Sequence, residues 1–584
     1  MKTDFVIRFA NVNGTGSASA NQLVVKTLFR MGWNIGAKNM FPSNIQGMPT
    51  WYEVRISDSS YTARKGRVDI MVAMNGQTLQ ADCEHLDEQS FVLYDPLGKQ
   101  TPGGVSKKIP LPVFELARKH FKNPKQRALL QNLIYVGAIS TLVRLDEDIL
   151  KDLLEEQYRS RPDLLPLNEK ALLLGKSYVQ EHVQDSFPYF VKMRDRDHSI
   201  LINGNEAAAL GAVTAGATVA AWYPITPSTS VMDAFRKYCS MFRQTSDGVA
   251  AAIMQSEDEI SAIGMVLGAN WMGARAFTAT SGPGISLMNE FLGYAYYAEI
   301  PSVVLNIQRC GPSTGMPTRN QQADILSCAY ASHGDTEHLL FFPATPSECY
   351  TMTYQAFDFA DRFQTPVFLM SDLELGMNEY CEPPLPVLAS GSKGKVLNDT
   401  QLMQLEHYHR YEDIDGDGIP WRTLPGSHPK GANLTRGSGH DKFGRYTENG
   451  LLYQENLDRI SKKFEQAAQE LPEPECVECG KIGLVYFGST TEVIREVVDA
   501  FALEGVFLSC LRVKAFPFHR KVYEELEKWE YGIVIEQNRD GQMRRLLIQN
   551  GEVESTQLRS LRVYDGLPLT AQNIIAKIQD LIEV

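Results

Sequence analysis

The chain has 584 residues, 43% of them hydrophobic and 22% charged, which is the composition of a folded protein of several domains. A net charge of −13 excludes a nucleic-acid coat, which needs a basic surface to neutralise phosphates. Nine scattered cysteines, an odd number, fit a reduced, cytoplasmic setting.

The opening run MKTDFVIRFANVNG carries Asp4 and Arg8 inside its apolar stretch, so it does not read as a signal peptide. Over residues 1–120, short β-rich runs (FVIRFANV, YEVRIS, VDIMVAM, FVLYD) alternate with helix-like ones such as ANQLVVKTLFRMG. That alternation predicts a mostly parallel sheet with helices on its faces. From 124 to 183 the pattern turns helical (ALLQNLIYVGAISTLVRL, DEDILKDLLEEQY, LNEKALLLGKSYVQEHV), giving a first domain over 1–185 and a linker, DSFPYFVKMRDRDHS. A second α/β block spans 200–381, with strands expected at AAWYPI, AAAIMQ, RAFTATS, SVVLNIQ, HLLFF and PVFLMSD. Its run AAALGAVTAGATVAAWY is too short and weakly apolar to cross a bilayer and reads as a helix followed by a buried strand. Residues 382–475, rich in Gly, Pro and Asp, read as a loop-rich connecting segment with one late helix, DRISKKFEQAAQEL. A small α/β block, 476–584, closes the chain with strands GLVYFGS, VFLSCLRV and YGIVIEQ and the helix-like TAQNIIAKIQDLIEV.

Two loops of the first domain could meet a ligand. Gly14-Thr15-Gly16-Ser17 follows the first strand and opens a helix, where small residues and free N–H groups suit a phosphate. It lacks the third glycine of the full dinucleotide fingerprint, so a plain strand-to-helix turn with Ser17 near the cap competes. Ser43, Asn44 and Gln46 crowd polar groups into a Pro/Gly-bounded loop, suited to covering a ligand or to a surface turn. Two other motifs read as decoys. Cys476-x-x-Cys479 has no second cysteine pair to complete a metal site. DIDGDGIP resembles a calcium loop, but its twelfth position is Leu424 rather than a bidentate Glu, so an acidic turn is expected.

Four polar, Gly/Pro-shaped turns follow predicted strands of the second block. They are Tyr223-Pro224-Ile225-Thr226-Pro227, Ser256-Glu257-Asp258-Glu259, Thr280-Ser281-Gly282-Pro283-Gly284 and Arg309-Cys310-Gly311-Pro312-Ser313-Thr314-Gly315. Carboxyl ends of strands in an open α/β sheet line a ligand crevice, so the four point to one site. Ser256-x-x-Glu259 has the form of a capping box, which accounts for Glu259, and the helix dipole accounts for the other acids. The site would offer the Thr226 and Thr314 hydroxyls, the Glu257 carboxyl and the Arg309 guanidinium.

YPITPS, MQSE, TSGPG and QRCGPSTGMPT together resemble the α subunit of 2-oxoacid:ferredoxin oxidoreductases, in the form with a γ domain fused ahead of α. GTGSASANQ and FPSNIQG resemble the γ domain, and EQNRDGQMRRLL, Glu536 to Leu547, resembles the C-terminal domain. Cys310 stands where the family has glycine. The resemblance implies an α/β multidomain fold: a γ domain, a pyrimidine-binding-type thiamine diphosphate domain and a transketolase-C-like domain. Glu257 is similar to the glutamate that hydrogen-bonds the aminopyrimidine ring, and a carboxyl in an apolar cleft suits sharing a proton with a ring nitrogen. Thr226 and Arg309, with Thr314 nearby, are similar to the residues holding the substrate 1-carboxylate. Tyr223, Pro224, Ile225, Thr280 and Ser281 are expected against the cofactor, and coenzyme A over the γ surface.

The family's diphosphate motif and cysteine cluster are not found here; the single GDG, Gly416 to Gly418, lies in the loop-rich segment. The resemblance therefore implies a β subunit carrying Mg2+ and an iron–sulfur cluster, an α2β2 assembly, and electron transfer to ferredoxin. It favours 2-oxoglutarate, CoA and succinyl-CoA, in either direction. Pyruvate or a branched-chain 2-oxoacid is the alternative substrate. The rivals of another class are a non-catalytic binding subunit and a self-sufficient thiamine enzyme, the latter opposed by the missing diphosphate motif.

Overall fold

The computed structural model describes residues 4–41, 47–59, 61–84, 86–97, 101–104, 107–183, 187–195, 199–246, 248–389, 391–551 and 553–582. Three large sheets dominate. The first has the order Asn34–Met40, Pro49–Ser57, Asp4–Val12, Ile70–Ala73, Phe91–Tyr94, Lys107–Pro110. Asp4–Val12 pairs in parallel with Ile70–Ala73 and antiparallel with Pro49–Ser57. Its period-two pattern sends Phe5, Ile7 and Phe9 into the core beneath the helices, and Ala10 into a smaller core on the opposite face. Arg8 is tolerated within this run because Glu53, directly opposite on the neighbouring strand, accepts from its Nε at 2.8 Å. Helix Pro124–Val143 starts where Asn123 caps its first turn, and Asp146 caps helix Glu147–Gln157.

The central sheet runs Ala252–Gln255, Val219–Trp222, Ala276–Thr280, Ser302–Gln308, Pro366–Asp372, Leu339–Phe341, Ala515–Phe516. Its first six strands are parallel. Ser302–Gln308 and Pro366–Asp372 are buried at every position, as expected for inner strands covered by helices on both faces. The seventh strand comes from the last block and pairs antiparallel, Leu340 opposite Phe516. The last block therefore completes the central sheet as well as forming its own. That third sheet has five strands, the three expected ones plus the edges Glu475–Val477 and Leu558–Arg562.

Much of the 382–475 segment lacks regular structure, yet it is fixed by charge. Glu299, fully buried after helix Gly282–Ala298, accepts from Lys463 Nζ at 2.8 Å and Arg459 Nη1 at 3.1 Å, both on helix Gly450–Glu470. Burial opposes ionisation of Glu299, but the Arg459 and Lys463 cations outweigh it and hold the carboxyl far below its usual range. The DIDGDG turn closes on an ammonium: Lys395 Nζ lies 2.5 Å from Asp415, 2.8 Å from Asp417 and 3.0 Å from the Ile419 carbonyl. Among the described residues, no helix is long and apolar enough to cross a membrane.

Candidate active site

The register of the central sheet brings the four strand-end turns to one edge. Trp222 lies opposite Gln255, and Thr280 opposite Asn306, two residues before the end of the strand Ser302–Gln308. Ser256 Oγ donates to the Trp222 carbonyl at 3.0 Å, tying two of the turns together. Arg309 ties in another, because its Nη1 donates to the Thr226 carbonyl at 2.8 Å. The YPITPS turn is braced from within: Ser228 Oγ and Thr229 Oγ1 donate to the Ile225 carbonyl, at 3.0 and 3.2 Å. Tyr223 and Pro224 stay exposed, while Ile225 and Thr226 are half-buried.

Arg309 is 8% exposed, and its buried Nε meets no partner among the described residues. Burial pulls its pKa down and the nearby Asp324 carboxylate opposes that shift. The guanidinium opens into a cavity of 720 Å³, within the range of about 300–1,000 Å³ typical of ligand sites, lined by Arg309, Ser313, Thr314, Asp324, Asn538 and Tyr564 among others. Thr314 is exposed on the loop that forms its wall. Thr280 and Ser281 are buried and are not on the lining of this cavity, and the Ser281 hydroxyl has no partner among the described residues.

The three acids are arranged differently from expectation. Asp258, not Ser256, is the N-cap of helix Glu259–Trp271, and its carboxylate accepts from the Ser261 amide at 2.7 Å. Ser256 is engaged with Trp222, and a second acceptable cap residue two positions on shifts the helix start. No Ser256–Glu259 capping box forms. Glu257 is exposed, so it does not lie in the apolar cleft expected for it. Glu259 is the buried acid, 6% exposed, and its carboxyl has no hydrogen-bond or charged partner among the described residues. A β-carbon at Gly284 would fall 2.0 Å from Thr280 Oγ1 and 2.9 Å from Glu259 Cγ, so the TSGPG glycine opens the space that Glu259 occupies.

Known proteins fit this geometry. The profile of the family described as "Pyruvate flavodoxin/ferredoxin oxidoreductase, thiamine diP-bdg" matches residues 210–413, and that of "Pyruvate ferredoxin/flavodoxin oxidoreductase" matches residues 6–178. The 2-oxoglutarate synthase subunit KorA of Methanothermobacter thermautotrophicus is 33% identical over 58% of this chain and 87% of its own length. The α subunit of 2-oxoacid:ferredoxin oxidoreductase 2 of Aeropyrum pernix is 27% identical over 99% of this chain and 98% of its own. A solved structure of 2-oxoglutarate:ferredoxin oxidoreductase from Magnetococcus marinus, with 2-oxoglutarate, coenzyme A and succinyl-CoA bound, superposes with a TM-score of 0.88 at 25% identity, covering both chains completely. The chain belongs to the 2-oxoacid:ferredoxin oxidoreductase family, as a fused γ–α subunit.

In this oxidoreductase subunit the γ-type domain carries a cleft of 360 Å³ at its glycine loop, lined by Gly14, Gly16, Ser17, Asn39, Phe41 and Trp51 among others. Gly16, at φ 80°, is the N-cap of helix Ser17–Arg30, so Ser17 is its first residue rather than its cap. Thr15 Oγ1 donates to the Val12 carbonyl at 2.7 Å. Ser43, Asn44 and Gln46 lie outside the described residues. Cys476 and Cys479 are exposed and unbridged, and no group of metal-ligating side chains occurs among the described residues.

Sequence reasoning missed two acids. Glu259 was absorbed by an expected cap, and Asp324 belongs to no recognised motif. Asp324 accepts from Asn306 Nδ2 at 3.1 Å, and burial pushes its carboxyl up to about 6 despite Asn306 and the Arg309 charge. The EQN run is also placed: Asn538 Nδ2 donates to the Gln322 carbonyl at 3.0 Å, and the Gln537 amide oxygen accepts from Asn320 at 2.8 Å, so the C-terminal block props the segment after the Arg309 loop.

Proposed function

We propose that this chain is the α part of a thiamine diphosphate-dependent oxidoreductase that converts 2-oxoglutarate and coenzyme A to succinyl-CoA and carbon dioxide, passing two electrons to ferredoxin. The observation that carries this reading is Arg309: a buried guanidinium at the strand ends, bonded to the Thr226 carbonyl, with its Nε left over at a cavity that the Gly282–Pro283 turn also lines. That donor set fits the cofactor and substrate, with an acid for a ring nitrogen and a planar cation for a carboxylate. Thiamine diphosphate, when bound, supplies the electron sink that a 2-oxoacid needs to lose carbon dioxide.

The chain's own residues bind and orient. Arg309 pairs with the 1-carboxylate, and Thr226 and Thr314 fix its tilt. Glu259 rather than Glu257 is the carboxyl we assign to the aminopyrimidine, because it is buried against the Thr280–Gly284 turn, whereas Glu257 faces solvent. Coenzyme A is assigned to the γ-type cleft, where the N-terminus of helix Ser17–Arg30 suits a phosphate.

The rest of the reaction belongs to a β subunit, which would hold Mg2+ and the cofactor diphosphate and carry the iron–sulfur cluster, in an α2β2 assembly. In support, exposed apolar side chains occur at the strand-end turns and the helix starts that follow them: Tyr223, Met254, Ile260 and Leu287. The choice of 2-oxoglutarate rests on the relatives named 2-oxoglutarate synthase and on the Magnetococcus marinus structure. A substrate series on the co-expressed α and β chains tests it, reading viologen reduction with thiamine diphosphate, magnesium and coenzyme A. The reading expects kcat/KM to be highest for 2-oxoglutarate. A higher value for pyruvate or a branched-chain 2-oxoacid would move the substrate, and no turnover with any of them would remove the enzyme assignment.

A further inference from the structure

The Arg309 loop is held at its base from two other domains. Inside the loop, the Cys310 amide donates to the Arg319 carbonyl at 3.0 Å and the Met316 amide to the Cys310 carbonyl at 3.2 Å, closing residues 310–319 into a hairpin-like turn. On one side, Arg319 Nη1 donates to the Phe41 carbonyl of the γ-type domain at 2.8 Å. On the other side lies Gly566 of the C-terminal block, at φ 82°. A β-carbon there would sit 2.9 Å from Arg319 Cβ, 3.1 Å from Cys310 Sγ and 3.1 Å from Met316 Cε. The Asn320 amide donates to the Gly566 carbonyl at 3.0 Å. Phe41 lines the γ-type cleft, and Cys310 and Met316 line the Arg309 cavity, so Arg319 stands between the two.

We propose that Arg319 is a positioning residue: gripping the Phe41 carbonyl from the base of the loop, it sets where Arg309 and Thr314 meet the 2-oxoacid carboxylate. This rests on the reading of Arg309 given above. The geometry sets one flexible side-chain link on the γ side against close packing on Gly566 and the Asn320 hydrogen bonds to Gly566 and Gln537 on the C-terminal side. Removing the link lets the loop pivot on Gly566, while adding a methyl at Gly566 pushes it from below. Small misplacements of a carboxylate clamp carry large kinetic costs.

The test uses the co-expressed α and β complex with thiamine diphosphate bound and compares wild type with Arg319→Met, Arg319→Lys, Gly566→Ala and Arg309→Ala. Melting temperature and bound cofactor are recorded for each. The expected result is a rise of about tenfold in the 2-oxoglutarate KM for Arg319→Met, the size of one lost charge-assisted hydrogen bond. Arg319→Lys keeps a donor and should recover most of that loss, and Gly566→Ala should raise the same KM. A merely structural role would lower the melting temperature and leave KM in place. The proposal is overturned if Arg309→Ala raises the 2-oxoglutarate KM while Arg319→Met leaves it within about twofold of wild type. If Arg309→Ala itself leaves that KM unchanged, the reading of the loop fails first and the proposal falls with it.

Discussion

Glu257 and Glu259 are two residues apart in one helix start and meet opposite environments. Glu257 faces solvent, and Glu259 turns inward against Thr280 and Gly284. Removing a group that shares a proton in the reaction costs on the order of 10²–10⁴ in rate. Glu259→Gln should therefore lower turnover of the αβ complex by at least about a hundredfold. Glu257→Gln should stay within about threefold of wild type, since surface changes rarely matter more. Asp324 gives a second expectation. Burial raises its carboxyl to about 6, so the folded state holds its proton more tightly than the unfolded state does. The contribution of Asp324 to stability thus falls as pH rises from about 4 through about 6, and stays lower above that. Asp324→Asn should flatten this part of the profile, measured as denaturant midpoints across that window.

At the scale of elements, the clearest case is the 382–475 segment. Glu299→Ala would leave Arg459 and Lys463 buried without their anion, and should cost about 3–5 kcal/mol in a urea titration. Nothing in the periodicity of that segment announces this anchor, because a buried ion cluster joins residues far apart in sequence. The inner strands were legible for the opposite reason: SVVLNIQ and PVFLMSD each carry four consecutive or near-consecutive apolar residues in a short run, and both are buried throughout. The edges Glu475–Val477 and Leu558–Arg562 were not, being short or interrupted by arginine. The strand-end turns could be read from Gly and Pro, and the register brings them to one edge. The choice among the three acids could not, because Ser256 and Asp258 are both good caps and only packing decides which one starts the helix.

At the scale of the whole molecule, buried cations join the parts. Lys38, from the first sheet, lies 3.1 Å from Glu374 beside the central sheet and 2.5 Å from Glu492 in the C-terminal block. Arg55 reaches Glu496 at 2.8 Å in the same interface. Lys38→Met should leave Glu374 and Glu492 facing each other unpaired, destabilising the chain by about 3–5 kcal/mol. Limited proteolysis and thermal unfolding would check whether the γ-type domain loosens from the rest. The same assembly leaves Met316 and Tyr564, which line the Arg309 cavity, and Tyr223 at the neighbouring turn exposed.

The most direct measurement is viologen reduction with 2-oxoglutarate, coenzyme A, thiamine diphosphate and magnesium, run on this chain alone, on the co-expressed αβ complex, and on complexes carrying Glu259→Gln or Arg309→Ala. The account predicts no turnover from the chain alone, turnover from the complex, and losses of about a hundredfold or more in kcat/KM for both variants. Full activity in both variants, from complexes shown to hold thiamine diphosphate and an intact cluster, would contradict it.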